Sequence, residues 1–375
     1  MSYVKFKIIR NMRFSKNLVL NIGIHTMERN EFYSKLFTPS LIRTGIIVII
    51  SEWVSEAENK NKPKQNFVQQ DLKLPCGKPL VSICCLTYNH QHCIEDALKG
   101  FLMQKTDFPF EIIVYDDASI DKTASIIESY AKKYEGIIFP VLSNKNVFSE
   151  TGVLPFATHL FPKARGKFIA ECDGDDYWTD SLKLQKQVDC FNANPKTVLC
   201  YHDLVIYHQN SDQLIHPYSE QPPSYKSDEL IGFEKYKQWL HPSTKMWRNL
   251  FHEHRKDFEA CWGDNATNVL LGTYGDCKYV DGIAPSVFRR FHGNNMWSCM
   301  SQEETFEKTK EVYTRLVKFM ESKKHQAGIK IRKEILNDYI EEYERSKQQA
   351  RVSIQRKADG RYRTELARKV RCRRG

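Results

Sequence analysis

The sequence predicts an α/β fold, a mostly parallel, Rossmann-like sheet flanked by helices, with a helical extension at its C-terminal side. Two observations carry that expectation. From Leu80 onward, short apolar runs alternate with stretches whose apolar residues recur every three or four positions, the rhythm of strands joined by crossover helices. The polar clusters stand where the apolar runs end, and in such sheets ligands bind beyond the carboxyl ends of the strands.

The elements follow in order. Leu80–Leu86 reads as a buried strand, and Thr87-Tyr88-Asn89 as the turn after it. Ile94, Ala97, Leu98, Phe101 and Leu102 then mark one face of a helix. Glu111–Tyr115 is a second strand closing in Asp116-Asp117, and Ser119 or Asp121 can cap the next helix, with Ala124, Ile127, Ala131 and Tyr134 facing inward. Ile137–Leu142 is a third strand, a helix is expected within 154–165, and Lys167–Cys172 is a fourth strand. A helix with Leu184, Val188 and Phe191 on its inner side comes next. Residues 303–346 carry two apolar stripes, one from Phe306 to Met320 and one from Leu336 to Tyr343, with Gly328 near the turn. They read as a helical hairpin, because neither stripe lasts long enough for a coiled coil.

Four segments result: an appendage and linker at 1–77, a catalytic domain at 78–300, the hairpin at 301–347 and a basic tail at 348–375. The chain of 375 residues can bury one large core or two ordinary ones, and 17 Gly, 14 Pro and 12% aromatics exclude collagen, low complexity and a small disulfide scaffold. Its 11 cysteines are odd in number and none forms a C-x-x-C pair, so a zinc ribbon is not expected. Several lie in apolar runs, where reduced Cys packs as a small hydrophobe, and a cytoplasmic protein is expected. The run Gly45–Ile50 is too short to span a membrane, and no signal peptide is recognisable.

Of the net charge of +10, residues 351–375 hold +8, from ten Lys/Arg against Asp359 and Glu365. The basicity therefore belongs to the tail. Tyr362, Leu366 and Val370 are four apart and can share a helical face, giving a basic amphipathic segment suited to an anionic membrane surface; the alternative is a disordered, soluble tail. Nucleic acid is not an expected partner, since no base-stacking module or zinc finger accompanies the charge.

The chain has neither G-x-x-x-x-G-K-[ST] nor G-x-G-x-x-G after the first strand, which argues against a P-loop NTPase or a dinucleotide dehydrogenase. Carboxylates offer another route to a diphosphate, by holding a divalent cation that neutralises it as a leaving group. Asp173-Gly174-Asp175-Asp176 follows the apolar Phe168-Ile169-Ala170 and can point several carboxylates into one cavity; alone, it reads equally well as a solvated turn.

Val81–Asn89, Glu111–Thr123 and Ala164–Trp178 with Lys183-Leu184-Gln185-Lys186-Gln187, in that order, resemble the nucleotide-binding half of family 2 glycosyltransferases over roughly residues 79–300. The resemblance implies a GT-A-type sheet, a nucleotide-sugar donor with UDP as the default, Mn2+ or Mg2+, and inversion at the anomeric carbon. It places Thr87, Tyr88 and Asn89 along the nucleotide, Asp116 and Asp117 at base and ribose, and Arg165 near the diphosphate. Asp175 becomes the principal metal ligand, Asp173 a ribose or metal-shell group, and Asp176 a weaker candidate for either.

Asp264, in Gly263-Asp264-Asn265 before an apolar stretch, matches the family's catalytic base, although an Asp there also caps helices well. Arg289-Arg290-Phe291-His292 resembles a segment in which His292 completes the metal shell and Arg289 or Arg290 meets the diphosphate or braces the loop. His90 and His92 are taken as ordinary surface or packing residues.

The pattern departs from the family at Leu86, where Pro is common, and at 143–160, which matches only through Asn144 and Asn146. The expected acceptor is a saccharide or a lipid-linked hydroxyl in surface polysaccharide or lipopolysaccharide synthesis, on the inner face of the membrane. Two rivals remain open: a nucleotidyltransferase on a similar sheet, which would release pyrophosphate, and a non-catalytic nucleotide-sugar or membrane-binding protein.

Overall fold

A computed structural model describes residues 3–8, 25–28, 48–49, 77–208, 213–217, 224–236, 240–260, 263–290 and 301–372; at 3–8, 25–28, 48–49, 260, 290 and 350–372 it describes the backbone alone. Tyr3–Ile8 (β1), His25–Glu28 (β2) and Val48–Ile49 (β3) form a small antiparallel sheet in the order β2-β1-β3.

The main sheet is built from Val81–Thr87 (β4), Phe110–Asp116 (β5), Ile138–Leu142 (β6), Phe168–Glu171 (β7), Thr197–Tyr201 (β8), Met246–Arg248 (β11) and Asp276–Tyr279 (β12). Its order is β12-β8-β11-β7-β4-β5-β6. All neighbours are parallel except β11, which runs against both β7 and β8. The mostly parallel, helix-flanked sheet expected from the sequence is therefore present. The exception has a local cause. The chain re-enters at the carboxyl edge through a tight turn at Pro242–Thr244, so the strand that follows can only run downward, whereas a parallel strand would need a crossover. A second sheet joins Leu204–His208 (β9), Gln213–Ile215 (β10) and Ser286–Arg290 (β13).

Strand residues alternate between two cores, as a period of two requires. On one face Val81, Ile83, Cys85, Ile112 and Val114 meet Ile94, Leu98 and Phe101 of helix Ile94–Leu102 (α1) and Leu184, Val188 and Phe191 of Lys183–Ala193 (α4). On the other, Cys84, Ile113, Tyr115 and Ile169 meet Phe156 and Phe161, Phe251 and Phe258 of Phe251–Ala260 (α6), and Val269 and Leu270 of Asp264–Gly272 (α7). Burial on both faces explains why β4 and β5 read as mostly apolar runs, broken by the buried Ser82 and Glu111. Pro140 sits in β6, an edge strand that can spare its N–H.

Helices Thr123–Lys133 (α2), Val147–Thr151 (α3) and Ser227–Ile231 (α5) complete the body. The helix expected within 154–165 is a π-helical turn, Phe156–Leu160, followed by a 3-10 turn, Phe161–Lys163. At the C-terminal side, Gln302–Ser322 (α8) is followed by one helix from Gln326 to Cys372 (α9). The turn lies at 323–325, with Gly328 already in the first turn of α9. Phe306 stacks on Tyr343 at 3.7 Å between ring centroids, which ties α8 to α9. Among the described residues, no helix is long and apolar enough to cross a membrane.

Candidate active site

The carboxyl ends of β4, β5 and β7 meet in a hydrogen-bonded rim. Thr87 Oγ1 donates to Asp116 Oδ1 at 2.9 Å, and Asp116 also accepts from the N–H and hydroxyl of Ser119. Asp117 takes the N–H groups of Val147 and Phe148 at 2.8 and 3.0 Å, fixing the first turn of α3. Both carboxylates are buried. Asn89, in the left-handed region at φ 56°, stitches this loop to its neighbour: its N–H donates to Ser119 Oγ and its side chain accepts from the Ile120 N–H. Tyr88 is 43% exposed on the rim, with its ring available to a planar ligand.

The acidic turn packs directly beneath. Gly174 donates its N–H to Leu86 O at 2.9 Å. A Cβ at this position would lie 2.6 Å from Thr87 Cγ2, so only glycine lets the two turns meet this closely. One ligand oxygen each from Asp173, Asp175 and Asp176 lies within 4.8 Å of the others. Asp173 Oδ1 is buried with no hydrogen-bond partner.

Burial pushes the Asp173 carboxyl well above the usual range, and the facing carboxylates of Asp264, Asp175 and Glu171 push it further. Asp176 is raised for the same reasons, burial first and then Asp175 and Asp173, against the Arg289 N–H, which donates to it at 3.0 Å. An unpartnered buried oxygen amid mutually repelling carboxylates is a site that a divalent cation would relieve, and all-oxygen donors suit Mg2+ or Mn2+. The residues present thus fit such an ion.

Asp264 opens α7. The cap position belongs to Gly263, at φ 102°, and carries no side-chain cap bond, so capping does not account for this Asp. Asp264 borders a small cavity together with Glu171, Thr267, Phe156, Phe161 and Phe258. Burial raises its carboxyl above the usual value, opposed by Lys245. A carboxylate of raised proton affinity is a better proton acceptor.

Four further residues belong here that the sequence did not single out. Lys245 is wholly buried, its Nζ 3.1 Å from Asn268 Oδ1 and 3.8 Å from Glu171 Oε1. Trp247 Nε1 donates to the same Glu171 oxygen at 2.6 Å. Burial raises the Glu171 carboxyl, and Lys245 opposes the rise. The only signal for Glu171 is its place two residues before Asp173; Lys245, Asn268 and Trp247 come from distant segments with no motif. His90, read as an ordinary residue, places Nε2 3.8 Å from Asp175 Oδ2.

Arg165 is placed differently from expectation, and Arg289 takes the bracing role that was one of its two expected ones. Arg165 does not reach the carboxyl edge. Its guanidinium pairs with Glu111 at 2.6 Å, and Glu111 is the second residue of β5 while Asp116 is the last, roughly 16 Å further along the strand. The segment before β7 necessarily sits at the amino ends of the parallel strands, which corrects the reading of Arg165 as a diphosphate contact. The Arg289 guanidinium reaches Asp96 on α1 at 2.6 Å, across the Tyr177 ring, so it braces the acidic turn rather than facing a ligand. Arg290 ends β13, with only its backbone described, and His292 lies outside the described residues.

A mostly parallel sheet with an acidic turn at its carboxyl edge is the GT-A-type architecture expected from the sequence. Residues 82–252 match the family described as Glycosyl transferase family 2, and this part of the chain is a family 2 glycosyltransferase domain. The uncharacterized protein Rv1520 of Mycobacterium tuberculosis is 41% identical over 227 residues, 58% of this chain and 60% of its own length. The chain thus spans about three fifths of that relative. The poly(ribitol-phosphate) beta-N-acetylglucosaminyltransferase TarS of Staphylococcus aureus is 31% identical over 99 residues, 26% of this chain and 16% of TarS. A crystal structure of TarS 1-349 in complex with UDP-GlcNAc aligns with a TM-score of 0.49 at 18% identity, covering 63% of this chain and 66% of that one.

Proposed function

We propose that this chain is a metal-dependent, inverting glycosyltransferase that moves a sugar from a nucleotide-sugar to a hydroxyl of a saccharide or lipid-linked acceptor. The observation that carries the reading is the buried, unpartnered Asp173 oxygen in a three-carboxylate turn facing Asp264. Asp175 and Asp173 would hold Mn2+ or Mg2+, with His292 as a further ligand and Arg290 toward the phosphates. A bound cation supplies charge neutralisation for the departing nucleoside diphosphate. Thr87, Tyr88 and the Asp116–Asp117 rim would seat the nucleoside. Asp264 accepts the proton of the acceptor hydroxyl as that hydroxyl attacks the anomeric carbon from the opposite face, so configuration inverts.

UDP is the default nucleotide, and the name of TarS makes UDP-GlcNAc the first donor to test. Surface polysaccharide or lipopolysaccharide synthesis at the cytoplasmic face is the proposed setting, with the basic end of α9 meeting the anionic leaflet. The test is calorimetry and UDP release with UDP-GlcNAc and Mn2+. Asp264→Asn is expected to bind donor and metal within about threefold of wild type while UDP release falls by on the order of a hundredfold or more. Asp175→Asn is expected to lose metal-dependent donor binding. Substantial turnover by Asp264→Asn refutes the base role, and donor binding indifferent to metal refutes the cation's.

A further inference from the structure

Lys245 is a charged residue with no exposed surface, in a place where methionine would pack at far lower desolvation cost. It stands immediately before β11. In that register Met246 pairs with Ala170, so Lys245 comes opposite Glu171 at the end of β7, two residues before Asp173. Its Nζ also meets Asn268, one helical turn beyond Asp264 on α7. Asn268 is itself buried, and its Nδ2 has no partner, so this arrangement is not one refined for stability alone. Lys245 thus touches both the strand end that carries the acidic turn and the helix that carries the proton acceptor.

Three carboxylates, Glu171, Asp173 and Asp264, feel this one ammonium. We infer that Lys245 is a positioning residue: seated between Glu171 and Asn268, it locks the Asp264 helix against the end of β7 and sets an ammonium between proton acceptor and acidic turn. The inference rests on Asp264 being the proton acceptor. It adds that the distance between Asp264 and the donor site is held by charge as well as by the apolar packing of Val269 and Leu270.

The test uses the full chain with UDP-GlcNAc hydrolysis and Mn2+ binding followed by EPR. Lys245→Met is expected to lower UDP release about a hundredfold. It should at the same time bind Mn2+ on the order of tenfold more tightly, because a like charge has left the cluster. A merely structural lesion would loosen the metal instead. Lys245→Met strands the buried Glu171, so Lys245→Met/Glu171→Gln is made as well, which removes the pair together. This double variant is expected to unfold cooperatively like wild type and to return Mn2+ affinity to within about threefold of it, yet to stay slow. Weakened Mn2+ binding in Lys245→Met, or a folded double variant with wild-type turnover, overturns the inference. Turnover retained by Asp264→Asn overturns the base assignment instead, and the Mn2+ affinities separate the two failures.

Discussion

Gly174→Ala is a sensitive probe of the contact between the acidic turn and the first-strand turn. The added Cβ would stand 2.6 Å from Thr87 Cγ2 and 3.0 Å from both His90 Nδ1 and Ile94 Cδ1. Thr87 cannot swing its methyl aside freely, because its hydroxyl is bonded to Asp116 at 2.9 Å, and a rotation breaks that bond. Overpacking costs about 1–3 kcal/mol, and the lost hydrogen bond adds about 1 kcal/mol. The sum is a destabilisation of roughly 2–4 kcal/mol, read as a lower urea midpoint at unchanged slope. Because Asp173 and Asp175 flank the displaced residue, Mn2+ affinity should fall with it. Thr87→Ser in the Gly174→Ala background removes the closest methyl, keeps the hydroxyl, and should recover most of the loss. Stability within about 0.5 kcal/mol of wild type, with unchanged Mn2+ affinity, would refute the close-approach reasoning.

Two further outcomes are expected. Arg332 on α9 is wholly buried and donates to both oxygens of Glu234, at 2.9 and 2.8 Å, and to Ile231 O. Arg332→Ala leaves the carboxylate without its counter-ion and should cost about 3 kcal/mol in chemical denaturation; no measurable change would mean that α9 contributes little to the body. Lys183 is buried against the Trp178 ring, and burial pushes its ammonium down to about 7. An unfolded lysine titrates near ~10.4, so between those values the native state binds fewer protons and stability rises with pH. Lys183→Met should flatten that rise in melting scans from pH 7 to 10, and an identical slope in the variant would locate the titration elsewhere.

Much of the fold was legible because it rests on local periodicity. Ile83–Leu86 and Ile112–Val114 are apolar throughout since both faces of the sheet are covered, and the α1 stripe Ile94, Ala97, Leu98 and Phe101 is buried residue for residue. The acidic turn was visible for a similar reason: a cluster at the end of an apolar strand must lie at the carboxyl edge. Less legible was everything that depends on chain direction and return path. Arg165 precedes the same strand that Asp173 follows, and β7 carries them to opposite edges. The antiparallel β11 left no periodic trace, since Met246-Trp247-Arg248 is too short to show a period.

The sequence by itself determined which residues alternate, which stretches are buried and which carboxylates share one tight turn, because these follow from spacing along the chain. Tertiary structure alone decided that Lys245, Asn268 and Glu171 enclose one buried charge beside Asp264, that Arg289 turns to Asp96, and that Gly174 must lack a side chain. Those relations join residues 23 to 193 positions apart. Such distances close only when strands pair and helices dock, and no local pattern encodes which side chain will then stand opposite which.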